Sequence, residues 1–411
     1  MSSSANPTIR FDPQERSAAL SLSSVIGLRM LGLFLMLPIM AIGAQGLAGG
    51  DDPRLVGLAL GVYGLTQAVL QLPFGLASDR LGRRRVIVTG LLIFAGGSFL
   101  AALASDVQTL IVGRAIQGAG AVSAAVSAFL ADRTREVVRT RAMAMVGASI
   151  GLAFAVSLVA APVLFGSLGL SGLLAMTGLL ALLACLLVLR IPEGDLSGRP
   201  MTPEDAGARS TWRLVFDGQL GRLNLGIFVM MAVQTSMFVA IPLGLAGFGM
   251  PTQSHWQVYL PMLILAFVGM IPLIFWAERR GRFRPVFLLG ILILIAAEIA
   301  FMQSVSFSGW MFAVWLFMFG FNLMEAVLPS WVSRRAPAAQ RGLAMGIYNT
   351  AQSLGLFVGG VAGGFAVNAF GLGGIFVFCL VILAFWGIMS VGLVELGPRS
   401  ASPSIHHPVG G

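Results

Sequence analysis

Hydrophobic residues in this chain occur as long unbroken runs rather than as stripes or alternations. Twelve such runs, near 18–43, 54–77, 86–104, 108–131, 142–166, 168–190, 223–247, 254–277, 285–303, 308–332, 343–369 and 373–396, are separated by polar breaks. An α-helix crosses roughly 30 Å of hydrocarbon with about 20 apolar residues, the order of length of each run. Strands of a membrane β-barrel would instead alternate apolar and polar over about ten residues. The pattern therefore predicts an all-α membrane protein of twelve transmembrane helices. The one long polar stretch divides the chain into an N-terminal segment 1–17, a six-helix half 18–190, a linker 191–222, a second six-helix half 223–396 and a tail 397–411. Within the linker, Trp212 to Phe216 reads either as a short amphipathic segment on the membrane surface or as plain linker. The first run is too long, and lacks a clear cleavage site, for a removed signal sequence.

Composition agrees with the pattern. Of 411 residues, 57% are hydrophobic and 10% charged, and a mean hydropathy of +0.89 excludes a water-soluble domain of this size. The net charge of +9 comes from Arg, since Lys is absent. Spread evenly, such a charge would point to nucleic acid; here it is sorted. Twenty Arg residues, from Arg80 to Arg341, follow even-numbered runs, and the opposite connections carry only Arg54. By the positive-inside rule both termini are expected in the cytoplasm, and no nucleic-acid partner is expected. Cys185 and Cys379 lie inside runs six and twelve and read as small apolar residues. No phosphate-binding loop, nucleophile elbow or metal-ligating cluster is present, and His406 and His407 lie on the tail, so neither an enzyme, a cofactor nor a metal is expected.

The chain also repeats itself. Gly75-Leu-Ala-Ser-Asp79-Arg80-Leu-Gly82-Arg83-Arg84-Arg85 returns 199 residues later as Glu278-Arg279-Arg280-Gly281-Arg282-Phe283-Arg284. Arg141-Ala-Met-Ala144-Met145 likewise returns as Arg341-Gly-Leu-Ala344-Met345. Two anchors at nearly one offset imply aligned halves, a parallel repeat with its binding site near the midplane between them.

These residues resemble the major facilitator superfamily. Gly75, Asp79, Arg80, Gly82, Arg83 and Arg84 match its loop signature between spans two and three, and Leu110, Arg114, Gln117, Gly118 and Gly120 look like its span-four signature. More closely, Leu28-Arg29-Met30-Leu31-Gly32, Val62 to Gln67, Glu298 and Phe321-Asn322-Leu-Met-Glu325-Ala resemble the YajR-type transporters, grouped with proton-coupled drug antiporters. The resemblance implies alternating access in the bacterial inner membrane, driven by the proton gradient, with protons and a small molecule as the transported species and a monomer as the working unit. Two departures stand out. The longer YajR-type proteins carry a soluble domain after the last span, so whatever regulation it gives is expected to be missing here. The span-five antiporter signature is eroded, with Ala161 before Pro162 and Phe165 before Gly166.

The resemblance further implies a gate latch of Asp79, Arg83 and Asp132, because Arg-carboxylate bonds are directional and strengthen where water is scarce. The second copy, with Glu278, Arg279 and Arg282, reads as a gate or as a topology signal, since Ile274 replaces Gly75. Ionisable residues inside spans are costly and mark pathways or relays. Four occur: Arg29, Arg114, Glu298 and Glu325. In this fold spans one, four, seven and ten line the cavity, so Glu325 is the leading proton carrier, with Arg114 and Arg29 as participants and Glu298 peripheral. Arg29 either neutralises Glu325 or attracts an anionic substrate. Trp315, Met318, Asn322 and Glu325 share one helical face; with Gln117, Met231, Gln234, Phe238, Tyr348 and Gln352 they are candidate substrate contacts. Gly355, Gly359 and Gly363 form a packing seam on run eleven. The expected function is proton-coupled efflux of small apolar or cationic compounds. Symport or facilitated uptake of a polar nutrient, and a non-transporting sensor, are the alternatives.

Overall fold

The computed structural model describes residues 11–191, 217–337 and 340–395. The Trp212–Phe216 segment, the middle of the linker and the tail with its two His lie outside the described residues. The chain forms α1 (Pro13–Phe34), α2 (Met40–Gly43), α3 (Pro53–Leu81), α4 (Arg83–Ala102), α5 (Val107–Ala119), α6 (Ser123–Asp132) and α7 (Glu136–Leu189). It continues as α8 (Gly218–Gly247), α9 (Trp256–Arg280), α10 (Phe283–Gln303), α11 (Phe307–Arg335) and α12 (Arg341–Ser390). Helix starts follow capping chemistry: the carboxylates of Asp52, Asp106 and Asp217 and the Ser306 hydroxyl accept from the first-turn amides of α3, α5, α8 and α11.

Ten segments among the described residues are long and apolar enough to cross a membrane. Two, α7 and α12, run to 54 and 50 residues, some 80 Å at about 1.5 Å per residue, well beyond one bilayer. Each is broken once, at Gly169 (φ 62°, ψ −173°) and Gly371 (φ 66°, ψ −163°). Taking each as two limbs recovers the division into twelve. Two runs predicted as continuous are interrupted: the first at Leu35–Ile39, between α1 and α2, and the fourth at Gly120–Val122, between α5 and α6.

Backbone geometry repeats with the sequence. Among the described residues the six glycines of positive φ fall into three pairs, Gly49 with Gly249, Gly82 with Gly281 and Gly169 with Gly371, one member in each half. Gly82 (φ 96°) and Gly281 (φ 63°) are the shared Gly of the duplicated loop. A side chain is disfavoured at such a φ, which explains why that position is Gly in both copies.

The halves meet mainly where α3 packs on α12 and where α9 and the turn Thr252–Ser254 pack on α7. Along α3 the contact is backbone on backbone: Gly57 and Gly61 lie against Gly360, Gly364 and Phe357, and Gly64 against Ser353. All of this is in the part of α3 nearest Arg54. Towards the Arg-rich end this contact between halves is not continued: Gly75 of α3 faces Ala124 of its own half, and a Cβ at Gly147, Gly151 or Gly346 would touch nothing within 4 Å. The molecule is therefore sealed at the Arg-poor end and open at the Arg-rich end. Aromatic rings bridge the halves between the two ends: Phe154 packs on Phe34 at 5.3 Å from its own half and on Phe321 at 5.9 Å and Phe238 at 6.3 Å from the other.

Span eleven, the first limb of α12, carries two glycine registers. Gly355, Gly359 and Gly363, the predicted seam, pack on Phe228, Ala232 and Ser236 of α8 within the same half. Gly360 and Gly364, one position on, face α3 of the other half.

Candidate functional site

The N-terminal half buries two guanidiniums. Arg29 of α1, 1% exposed, donates through Nη1 to Ser123 Oγ at 2.9 Å and through Nη2 to the Tyr63 hydroxyl at 2.7 Å. Its carbon centre also lies 5.7 Å from the Phe94 ring centroid. Arg114 of α5 stacks over the Tyr63 ring at 5.2 Å. It donates through Nη1 to Gln117 Oε1 at 2.7 Å and through Nε to the Ala59 carbonyl at 3.3 Å. Gln117 passes the chain on, its Nε2 donating to Ser98 Oγ at 2.7 Å. Among the described residues neither guanidinium meets a carboxylate within ion-pair distance. Arg29 thus takes Ser123 and Tyr63 as partners, and not Glu325. Gln117, fully buried, belongs to this network rather than to an open wall.

The C-terminal half buries carboxyl groups instead. Glu298 on α10 is fully buried and neither carboxylate oxygen has a partner; Cys379 of α12 lies within its electrostatic range. Glu325 on α11 is half-buried, with Oε2 unpartnered, and Tyr348, whose hydroxyl is also unpartnered, lies within its range. The predicted contacts do not all gather on an open surface. Met231, Gln234, Phe238, Met318, Asn322 and Tyr348 are buried, and the Asn322 amide is tied to the Met318 carbonyl at 2.7 Å. Trp315 and Gln352 are half-buried, and Gln352 Nε2 lies 3.7 Å from Met231 Sδ. Missed from sequence were Tyr63 and Ser123 as partners of Arg29, and Phe34 and Phe154 as the bridge between halves.

At the Arg-rich end Arg83 gathers three groups. It ion-pairs with Asp79, donates through Nε to Asp132 Oδ2 at 3.0 Å and through Nη1 to Ser78 Oγ at 2.7 Å. Gly75 does not owe its identity to space in this conformation, since a Cβ there would come no nearer than 3.7 Å to Ala124. In the second copy the Glu278 carboxylate has no ion pair or hydrogen bond among the described residues, and Arg282 and Arg279 make none with it. There the start of α10 is capped by Glu395, whose Oε1 accepts from the amides of Phe283 at 2.6 Å and Arg284 at 3.2 Å. One contact is common to both copies: Arg84 donates to the Leu189 carbonyl at 2.7 Å and Arg284 to the Val391 carbonyl at 2.6 Å, each tying a loop to the last helix of its half.

Because the Arg83–Asp132 pair is partly solvated, with the Asp side chain 46% exposed, Asp132→Asn is expected to lower stability by less than about 1 kcal/mol. Arg83→Ala, which removes three partners at once, is expected to cost more. Thermal unfolding in detergent measures both, and equal losses would contradict the shared role of Arg83.

The profile of the Major Facilitator Superfamily matches residues 22–333 and, separately, 223–409. The chain belongs to this superfamily: it is a multi-pass integral membrane transporter and not an enzyme. It is 40% identical over 379 residues to the inner membrane transport protein YajR of Escherichia coli K12, covering 92% of this chain and 83% of that protein. It is also 33% identical to the class E tetracycline resistance protein of Escherichia coli over 129 residues, 31% of this chain and 32% of that one. Among solved structures, a D-xylose-proton symporter superposes with a TM-score of 0.73 at 14% identity, over 93% of this chain and 99% of the symporter chain.

Proposed function

We propose that this transporter works by alternating access as a proton-coupled antiporter of the bacterial cytoplasmic membrane, exporting small apolar or cationic compounds. The observation that carries the reading is Glu325, a carboxyl group half-buried on α11 with one oxygen unpartnered. A carboxyl's proton affinity depends on its burial and on nearby cations. If those surroundings change as the halves rock, the group takes up a proton on one side and releases it on the other. A cationic cargo competing for the same carboxylate makes the two fluxes exchange. Shared sequence with a protein named for tetracycline resistance supports efflux. With the Arg-rich end in the cytoplasm, the open end of this structure is the cytoplasmic one, from which an exporter loads.

Arg83, Asp79 and Asp132 serve in this reading as a latch that breaks and reforms during the cycle, and the second copy with Glu278 serves mainly as a topology signal. Glu298, away from the bridge between the halves, is assigned a supporting role, as is Arg114. Symport uses the same acid but moves substrate with the proton, and the eroded span-five signature at Ala161 and Phe165 favours retaining it as the second reading. Proteoliposomes with an imposed pH gradient decide: antiport drives tetraphenylphosphonium against the proton flow. Flux in the direction of the protons sinks the exporter, and the lack of any saturable flux over drugs, sugars and organic acids sinks the transporter mechanism.

A further inference from the structure

We infer that the N-terminal half holds an anion-binding site where α6 begins in mid-membrane, formed by Arg29 and the first amides of α6. Its ligand is a small monoanion, either free or as the carboxylate of a transported compound; the second case rests on the transporter reading above, with a cargo that carries a carboxylate beside its apolar body.

The break at Gly120–Val122 makes a helix start inside the span. Val126 is the first α6 residue to bond back, to the Val122 carbonyl at 2.9 Å, and the carbonyls of Gly120 and Ala121 take nothing from Ala124 and Ala125. α6 has 10 residues, and no side chain caps it. Free amides and the helix dipole make such an end attractive to negative charge. Arg29 supplies the second, independent observation. Its Nη1 holds Ser123 Oγ, so the guanidinium sits at the first residue of α6, and its Nε is buried without a partner. Ser123 and Ala124 are only half-buried, so this end of the helix borders accessible space.

Charge balance points the same way. Arg114 stacks over the ring of Tyr63, whose hydroxyl accepts from Arg29, so two buried guanidiniums share one tyrosine. The acids of this half, Asp12, Glu15, Asp51, Asp52, Asp79, Asp106, Asp132 and Glu136, all lie at helix ends or in connections. An uncompensated charge buried away from water is strongly disfavoured. Tyr63, Ser123 and the ring of Phe94 offset part of that cost without supplying a negative charge. A bound monoanion supplies it. The neighbouring aromatic rings favour one with an apolar body, such as an aromatic carboxylate.

Benzoate and its uncharged counterpart benzamide separate charge from shape. In purified full-length protein at constant ionic strength, sodium benzoate is expected to raise the unfolding temperature saturably while benzamide leaves it unchanged. Arg29→Gln is expected to weaken benzoate binding at least about tenfold, and Ser123→Ala, which keeps the helix-start amide but removes the hydroxyl that holds the guanidinium there, to weaken it by a smaller factor. The two variants guard against a folding defect in either one. No proton gradient is applied, so the outcome is independent of whether Glu325 carries protons. Chloride that displaces benzoate, with no benzoate flux in liposomes, assigns the site to a free anion; protein-dependent benzoate flux assigns it to cargo. Equal responses to benzoate and benzamide overturn the proposal, as does full benzoate binding in folded Arg29→Gln.

Discussion

Glu325→Gln is expected to leave the protein folded in the membrane yet to bring proton-driven flux down to that of protein-free liposomes. Gln keeps the volume and polarity of the side chain but cannot exchange a proton. If Glu325 alone translates conformation into proton binding, substrate then still binds and equilibrates down its own gradient while the pH gradient no longer moves it. The measurement is paired: counterflow of labelled substrate without a gradient, and accumulation with one. Retained accumulation in the variant would transfer the coupling to Glu298, the other buried acid of this half, whose two oxygens are both unpartnered.

A second large effect is expected at the seal. Gly61 faces α12 so closely that an added Cβ would lie 2.6 Å from the Phe357 carbonyl oxygen and 3.2 Å from its Cα. Backbone cannot swing aside as a side chain can, so Gly61→Val forces the halves apart at the Arg-poor end. Overpacking of this kind costs roughly 1–3 kcal/mol or more, and every 1.4 kcal/mol is about tenfold in an equilibrium. The conformation described above is thereby depleted, and transport is expected to fall at least about tenfold because the cycle requires it. A cysteine pair across α3 and α12 near Gly57 and Gly364 would cross-link less readily in the variant. Gly96→Val is the control, since a Cβ there meets nothing within 4 Å; equal transport in the two variants would remove the argument.

Much of the fold was legible because lipid imposes a simple rule. Long apolar runs must be helices there, with every backbone group satisfied internally, and the positions of Arg fix which connections share a side. What hydropathy does not record is a helix that stops inside the membrane. Gly118 and Gly120 were visible as a signature, but nothing in the apolar run through Ala121 and Val122 distinguishes a continuous span from two helices joined by three non-helical residues. The glycine seam was likewise half visible. Spacing identified Gly355, Gly359 and Gly363, whereas Gly360 and Gly364, which meet the other half, follow the same four-residue spacing and announce no partner. The site was legible as residue types only. Arg29 and Glu325 stood out as charges within spans; that Arg29 would hold Tyr63 and Ser123 depends on three helices distant in sequence. Phe34 and Phe154 carried no signal, because one more aromatic residue in an apolar run is unremarked.

The two copies of the duplicated loop differ in what fastens them. Arg83 holds the first with partly solvated ion pairs, which dissolved salt weakens. The second is fastened by Glu395, which joins the end of the last helix region to the start of α10 through backbone amides. That carboxylate stands only five residues beyond Ser390, where α12 ends. Truncations intended to trim the tail for crystallisation or tagging therefore have to stop beyond Glu395. A cut at Ser390 would uncap a helix of the bundle and loosen the very end at which the molecule opens.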